Sequence, residues 1–465
     1  RYLKYEEFLK FQLTMQYIKL SRKKNIGVKK QFDQQILTQF INQLPFKLTP
    51  DQNAAVDEII NDLKKDTIMY RFIQGDVGSG KTVVGAIGLY ANYLAGFQGA
   101  MMAPTEILAS QHFKSLNILF KETGINLALL TGRLSNKEKQ NIYQDLDSGK
   151  INIVVGTHAL FQDKVSYQKL GLVITDEQHR FGVNQRKALK EKGQQVDFMV
   201  MSATPIPRTL AISLYGDMDV STIKTMPTGR KKVITDVIKS HSMKPILNNL
   251  KKYLASGGQC YVVCPLVAES EVIDSRDTTS IYEGMKAYFK GNYEVGLLHG
   301  KMDDEVKEHI MEDFKNNQIQ ILVSTTVIEV GVDVSNANWM VIYNAERFGL
   351  SQLHQLRGRV GRGNEQGYCY LLSNSSSKEA IERLEFLKSC HDGFEVSYYD
   401  LKVRGPGDIL GNQQSGLPSL IIGDIFKDIN ILEVSRKDAK ELLESKSNDA
   451  VYLKLISEIE EQLIN

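Results

Sequence analysis

Gly75-Asp76-Val77-Gly78-Ser79-Gly80-Lys81-Thr82 is a complete G-x-x-x-x-G-K-[ST] phosphate loop. A run with strand character, 67–73, leads into it, and residues 83–94 leave it with helical spacing, which is the strand, loop and helix context the motif requires. Gly75, Gly78 and Gly80 let the backbone curl around a polyphosphate, so that successive N–H groups, Ser79 among them, and the positive end of the next helix face it. Lys81 is then placed for the β and γ phosphates and the Thr82 hydroxyl for a magnesium ion.

Around this loop, strand-like and helical runs alternate. In residues 48–225 strands are expected at 69–74, 99–103, 126–130, 152–156, 170–176 and 197–202. After a polar connector at 225–232 the pattern repeats without a phosphate loop, with strands at 233–238, 259–264, 295–298, 320–324, 339–343 and 367–372. Apolar strands alternating with helices predict parallel sheets covered on both faces, with ligands gathered at the carboxyl ends of the strands. The first 44 residues read as one or two amphipathic helices, and helices are expected at 377–390, at 395–403 and in the tail beyond 421.

Three further motifs carry chemistry. Asp176-Glu177-Gln178-His179 closes an apolar strand, so Asp176 is placed to hold magnesium with Thr82, and Glu177 to position and deprotonate an attacking water. Ser202-Ala203-Thr204-Pro205 ends the next strand, where small hydroxyl residues can relay the state of the γ-phosphate. In Gln355-Leu356-Arg357-Gly358-Arg359-Val360-Gly361-Arg362-Gly363, three arginines surround glycines on a short helix and loop; Arg359 and Arg362 lie three apart, so one helical face can carry both toward a transferring phosphate.

Composition bounds these readings without naming a function. With 465 residues, 42% hydrophobic and 24% charged, the chain has the make-up of two or three ordinary globular domains. Net charge is only +2, but residues 1–47 hold ten Lys or Arg against three Asp or Glu, which predicts a basic helical arm. Residues 82–104 carry no charge; because they begin inside the phosphate loop and contain Asn92, Gln98 and four glycines, a buried helix and strand is expected rather than a membrane span. Cys260, Cys264, Cys369 and Cys390 form no C-x-x-C pair and read as buried free thiols of a reducing cytoplasm, with no metal cluster. The start at Arg1 is expected of a fragment.

The motifs together resemble a superfamily-two helicase motor from about residue 45 to 372. Gln52 matches the adenine-reading glutamine, residues 75–82 the first motif, and Ala103-Pro104-Thr105-Glu106 the first DNA-backbone motif. Gly156-Thr157-His158, residues 176–179 and 202–204, Leu298-His299-Gly300, and residues 324–333 and 355–362 match the rest in family order. Within the superfamily the chain resembles the RecG family, through Leu44-Pro45-Phe46, residues 176–183, and Arg404-Gly405-Pro406-Gly407-Asp408-Ile409-Leu410-Gly411 running into Gln414-Ser415-Gly416-Leu417-Pro418.

That resemblance implies an α/β chain with two RecA-like parallel-sheet domains of the P-loop NTPase fold, at 48–228 and 229–376. A basic helical connector at 1–47 and a helical hairpin with translocation loop and C-terminal helices at 377–465 flank them. It implies ATP and Mg2+ as cofactors, with Gln52, residues 75–82 and Asp333 at the nucleotide and Lys81, Asp176, Glu177, Gln355, Arg359 and Arg362 in catalysis. Thr105, Thr157, Arg208 and Ser324 are expected on the DNA backbone, with His179, Ser202, Thr204, Arg404 and Gln414 coupling hydrolysis to movement. Few aromatics lie beside these motifs, so stacking on a single strand is not favoured.

The activity implied is an ATP-dependent double-stranded DNA translocase that drives branch migration of Holliday junctions and regression of stalled forks in recombination and repair. It would act as a monomer, nucleoid-associated in the bacterial cytoplasm, with single-strand DNA-binding protein as a further partner and no membrane. The family carries an amino-terminal wedge domain, and residues 1–47 resemble only the connector that follows it. The alternatives are the motor of a transcription-repair coupling factor and, from another class, an ATP-binding scaffold that binds nucleotide without DNA-stimulated turnover.

Overall fold

The computed structural model describes residues 2–23, 26–176, 195–206, 211, 218–227, 229, 231–239, 242–265, 271–325, 334–361, 365–404, 420–425, 427–445, 454 and 456–459. The chain divides into two compact units: Arg1–Gly75 with Ser79–Thr225 and Leu401–Asn465, and Asp76–Gly78 with Met226–Asp400.

In the first unit the elements run α1 (Tyr2–Lys23), α2 (Gln34–Asn42), α3 (Pro50–Leu63), β1 (Tyr70–Gly75), α4 (Lys81–Leu94), β2 (Gln98–Met102), α5 (Glu106–Leu119), β3 (Leu127–Leu130), α6 (Asn136–Asp147), β4 (Ile153–Gly156), β5 (Leu170–Asp176), β6 (Asp197–Ser202) and β7 (Asp219–Ile223). The strands form one sheet in the order β3-β4-β2-β5-β6-β1-β7, and every pairing is parallel. β2, β4 and β6 are buried along their whole length, as apolar strands covered on both faces must be. Helix starts are written locally: Thr49 and Ser135 each close a capping box, with Gln52 and Glu138, and Thr105 caps α5. The uncharged passage after the phosphate loop is α4 followed by β2, a buried helix and a buried strand. Among the described residues no helix is long and apolar enough to cross a membrane.

The second unit holds β8 (Ile234–Lys239), α7 (Leu247–Ala255), β9 (Cys260–Val263), α8 (Glu271–Phe289), β10 (Val295–Leu298), α9 (Asp304–Lys315), β11 (Ile321–Ser324), β12 (Trp339–Ile342), α10 (Leu350–Arg357), β13 (Tyr368–Ser373) and α11 (Lys378–Ser389), and then enters α12 (Gly393–Arg404). Its sheet, in the order β10-β11-β9-β12-β13-β8, is also parallel throughout. Cys260, Cys264, Cys369 and Cys390 are buried free thiols.

The helix α13 (Ile429–Ser445) belongs to the first unit and packs on α1. Lys4 Nζ lies 2.6 Å from Asp428, the Tyr5 hydroxyl donates to Asp438 at 2.6 Å, and Gln16 donates to the Arg436 carbonyl at 2.8 Å. The Glu7 carboxylate accepts from the backbone N–H groups of Ile421, Ile422 and Gly423. Beneath these contacts Phe8 joins Ile425, Leu432 and the sheet residues Phe72 and Val200 in one apolar cluster.

At the amino ends of the strands, Lys30, 1% exposed, forms an ion pair with the buried Asp197 and donates to the Gly171 carbonyl at 3.0 Å. Asp197 also accepts from the Met69 N–H at 2.7 Å, so one carboxylate fixes the segment before α2, the start of β6 and the approach to β1. Lys30→Ala leaves that carboxylate buried without its cation, and a loss of about 3–5 kcal/mol is expected for the first unit. Urea unfolding followed by circular dichroism checks it; an unchanged midpoint would show that the pair holds nothing.

Candidate active site

The parallel register brings the motif ends of the first unit onto one edge. Asp176 at the end of β5 pairs with Met201, and the next residue of β6, Ser202, pairs with Gln74, which precedes Gly75 at the end of β1. Gly78 (φ 79°) and Gly80 (φ 84°) take the left-handed backbone that favours glycine, and an added Cβ on Gly80 would meet Gln52 Nε2 at 2.2 Å. Lys81 is buried and donates to the Gly75 carbonyl at 2.8 Å, across the mouth of the loop.

Gln52 joins two segments of the first unit. It is 2% exposed; its Oε1 accepts from the Thr49 N–H at 2.8 Å, and its Nε2 donates to the Ser79 carbonyl at 2.8 Å. One carboxamide thus ties the cap of α3 to the phosphate loop. Next to it, Asp51 accepts from the N–H groups of Lys224 and Thr225 at 2.9 and 2.7 Å and from the Thr225 hydroxyl at 2.8 Å, fastening the exit of β7 to the start of α3. The backbone hydrogen bond from Thr225 holds the Asp51 carboxyl below its ordinary range.

Residues that fit a magnesium nucleotide are present. Thr82 and Asp176 supply the hard oxygen donors such an ion takes, and the Ser79 hydroxyl is buried with no hydrogen-bonding partner, inside a cradle that a Cβ at Gly75 would fill at 2.5 Å. The Ser202 and Thr204 hydroxyls lie 2.9 Å apart, and Gln74 reaches across, accepting from the Ile206 N–H at 3.0 Å and donating to Thr222 at 3.1 Å. The sequence reading missed Gln74. It also missed His112, whose Nε2 lies 2.8 Å from Asp176 Oδ2.

The segments expected to track DNA share this edge. Thr105 follows β2 and caps α5, Thr157 follows β4 and is 4% exposed, and Glu106 ties the end of β3 to them by accepting from the Gly132 N–H at 2.6 Å and pairing with Arg133 Nε at 2.7 Å.

In the second unit two expectations are corrected. α10 ends at Arg357 and Gly361 has φ 69°, so Arg359 lies on a turn past the helix and not on a helical face. Arg357 is not presented outward: it is 3% exposed and donates to the carbonyls of Leu387 and Cys390 at 2.6 and 2.8 Å, and burial pulls its guanidinium below its usual range. Asp400 grips the other end of α10, accepting from the N–H groups of Leu350 and Ser351 at 3.1 Å, so α10, which carries Gln355, is clasped by α11 and α12. Ser324 ends β11, and its hydroxyl is buried and donates to the Thr325 carbonyl at 2.9 Å. Glu177, His179, Arg208, Asp333, Arg362 and Gln414 lie outside the described residues, and Arg404 is described only as the end of α12.

Three family models match the chain: DEAD/DEAH box helicase over residues 49–212, helicase conserved C-terminal domain over 245–364, and ATP-dependent DNA helicase RecG, domain 3, C-terminal, over 390–457. The chain is 50% identical over 442 residues to the ATP-dependent DNA helicase RecG of Bacillus subtilis (strain 168), and 48% identical over 443 residues to that of Staphylococcus aureus (strain Mu50 / ATCC 700699); each match covers 95% of the chain. It belongs to the RecG family of helicases. The chain spans 65% and 64% of the length of these two relatives. A solved structure of RecG bound to a three-way DNA junction matches it with a TM-score of 0.76 and 44% identity, over 93% of this chain and 56% of that one. Dbp5 of S. cerevisiae bound to RNA and ADP BeF3 matches with a TM-score of 0.58 and 18% identity, over 80% of this chain and 97% of that one, a likeness of fold alone.

Asp51→Ala is expected to cost about 1 kcal/mol at neutral pH, because three donors at the exit of β7 lose an exposed acceptor. The folded carboxyl titrates below its unfolded value, so its contribution is present above the ordinary carboxylate range and is lost as pH falls through the lowered folded value. Urea midpoints of the two proteins should therefore converge below about pH 4; a difference that does not vary with pH would show that the carboxylate charge plays no part.

Proposed function

We propose that the chain is the ATP- and magnesium-dependent motor of a RecG-type DNA translocase, driving branch migration of Holliday junctions and regression of stalled forks. The observation that carries this reading is the meeting of Gly75, Asp176 and Ser202 at adjoining strand ends of the first sheet, in a chain about half identical to RecG helicases. The RecG structure bound to a three-way junction supports branched DNA as the substrate.

In this reading Lys81 leaves the Gly75 carbonyl for the β and γ phosphates of ATP, and Thr82 and Asp176 hold the ion. Magnesium, when bound, neutralises charge on the phosphoryl oxygens. Glu177 orients the attacking water and accepts its proton, and Arg359 and Arg362, with Gln355 beside them, neutralise charge on the transferring phosphoryl group. Asp333 contributes to the nucleotide site. Ser202 and Thr204, hydrogen-bonded to each other and tied to β1 through Gln74 and Ile206, sense whether the γ-phosphate is present. Thr105, Thr157 and Arg208 engage the DNA backbone, His179 couples hydrolysis to it, and Arg404 and Gln414 couple α11 and α12 to movement. Binding through the backbone is sequence-blind and weakens steeply with salt. The protein acts as a monomer in the bacterial cytoplasm, at the nucleoid, with single-strand DNA-binding protein as a recruiting partner.

ATP hydrolysis measured without DNA, and with linear duplex, single strand and a four-way junction, tests the reading. Duplex or junction should stimulate turnover more than single strand, and Glu177→Gln should lower the stimulated rate by roughly 100-fold or more. ATP binding with no stimulation by any DNA would favour the scaffold and sink the translocase.

A further inference from the structure

α5 begins at the Thr105 cap and packs on β3 and β4 of the first sheet. Its inward face presents Leu108, Ala109, His112 and Leu116, so one polar ring stands in an otherwise apolar stripe. That ring is 5% exposed, and its Nε2 lies 2.8 Å from Oδ2 of Asp176, a side chain itself 15% exposed. A carboxylate accepts only, so the proton of this hydrogen bond sits on His112 Nε2.

We infer that His112 is a positioning residue for the metal-holding carboxylate: by donating to Asp176 Oδ2 it fixes the rotation of that carboxyl group toward the magnesium of a bound nucleotide. The inference rests on the ATPase reading of the site. The terminal torsion of aspartate is broad and roughly two-fold, so the backbone of β5 alone does not fix which way its oxygens point. A donor held by a packed helix does. An imidazole suits this task, because a single N–H donated to one oxygen leaves acceptor capacity on the carboxylate for the ion. A lysine or arginine at the same place would fix the carboxylate and also neutralise it. The same helix is capped by Thr105 and carries Glu106, which holds the Gly132–Arg133 turn; the element placed to feel the DNA backbone therefore also aims the carboxylate.

The test is binding of a fluorescent ADP analogue, titrated with Mg2+, to the wild-type chain and to His112→Phe and His112→Gln. Phenylalanine keeps a ring in the space and removes the donor; glutamine keeps a donor. The phenylalanine variant should need roughly 10- to 100-fold more Mg2+ for half-saturation, with binding of the magnesium-free analogue unchanged. The glutamine variant should stay within about threefold of wild type, well inside that loss. Should the phenylalanine variant not fold, as judged by loss of magnesium-free binding, His112→Leu against His112→Asn gives the same comparison. Wild-type Mg2+ dependence in a folded variant lacking the donor would overturn the inference, as would equal impairment by donor-keeping and donor-lacking side chains. If the wild-type chain itself binds no magnesium nucleotide, the ATPase reading falls, and this inference with it.

Discussion

Parallel pairing is the constraint on which the rest of the structure depends. A parallel sheet forces each strand to return by a crossover and sends every strand end to the same edge. In the first unit that edge collects Gly75, Ser202, Asp176, Thr105 and Thr157 from segments spread over more than a hundred residues, without any of them having to reach. Reversal of a single strand would send its motif to the opposite edge. Chemistry and architecture are therefore one requirement here, and the buried ion pair of Lys30 and Asp197 at the far ends of the strands helps to hold it.

Polar side chains inside apolar surroundings give the site its geometry. Gln52, Gln74, His112 and Glu106 each join two segments through short hydrogen bonds, and three of them lie almost wholly out of water. A buried polar group must find its partner or destabilise the fold, so each such residue specifies one arrangement of the elements it touches. The second unit follows the same rule: Arg357 and Asp400 use buried or capping hydrogen bonds to clasp α10 at both ends.

Much of this was legible in the sequence, for physical reasons. Strands covered on both faces are uniformly apolar, so β5 and β6 could be bounded to the residue, and the glycine spacing of the phosphate loop is contiguous and strict. β7 was not legible, because Asp219-Val220-Ser221-Thr222-Ile223 is a short edge strand with three of its five residues polar. His112 and Gln74 were passed over because a polar letter in the sequence says nothing of a partner 64 or 132 residues away. Arg357 shows the opposite failure: a motif names the residue but not the face it occupies, and this one is turned inward.

The contact of α1 with α13 bears on the order in which the protein can be built. Phe8 shares its apolar cluster with Ile425 and Leu432, and Glu7 receives the N–H groups of residues 421–423, more than four hundred positions later. The first unit therefore cannot close its core until residues 421–432 have been made, while the second unit, almost all of it within residues 226–400, has its sequence complete sooner. During that interval the apolar face of α1 waits without its partner, and a nascent chain of this design has to be kept from aggregating by something other than its own fold.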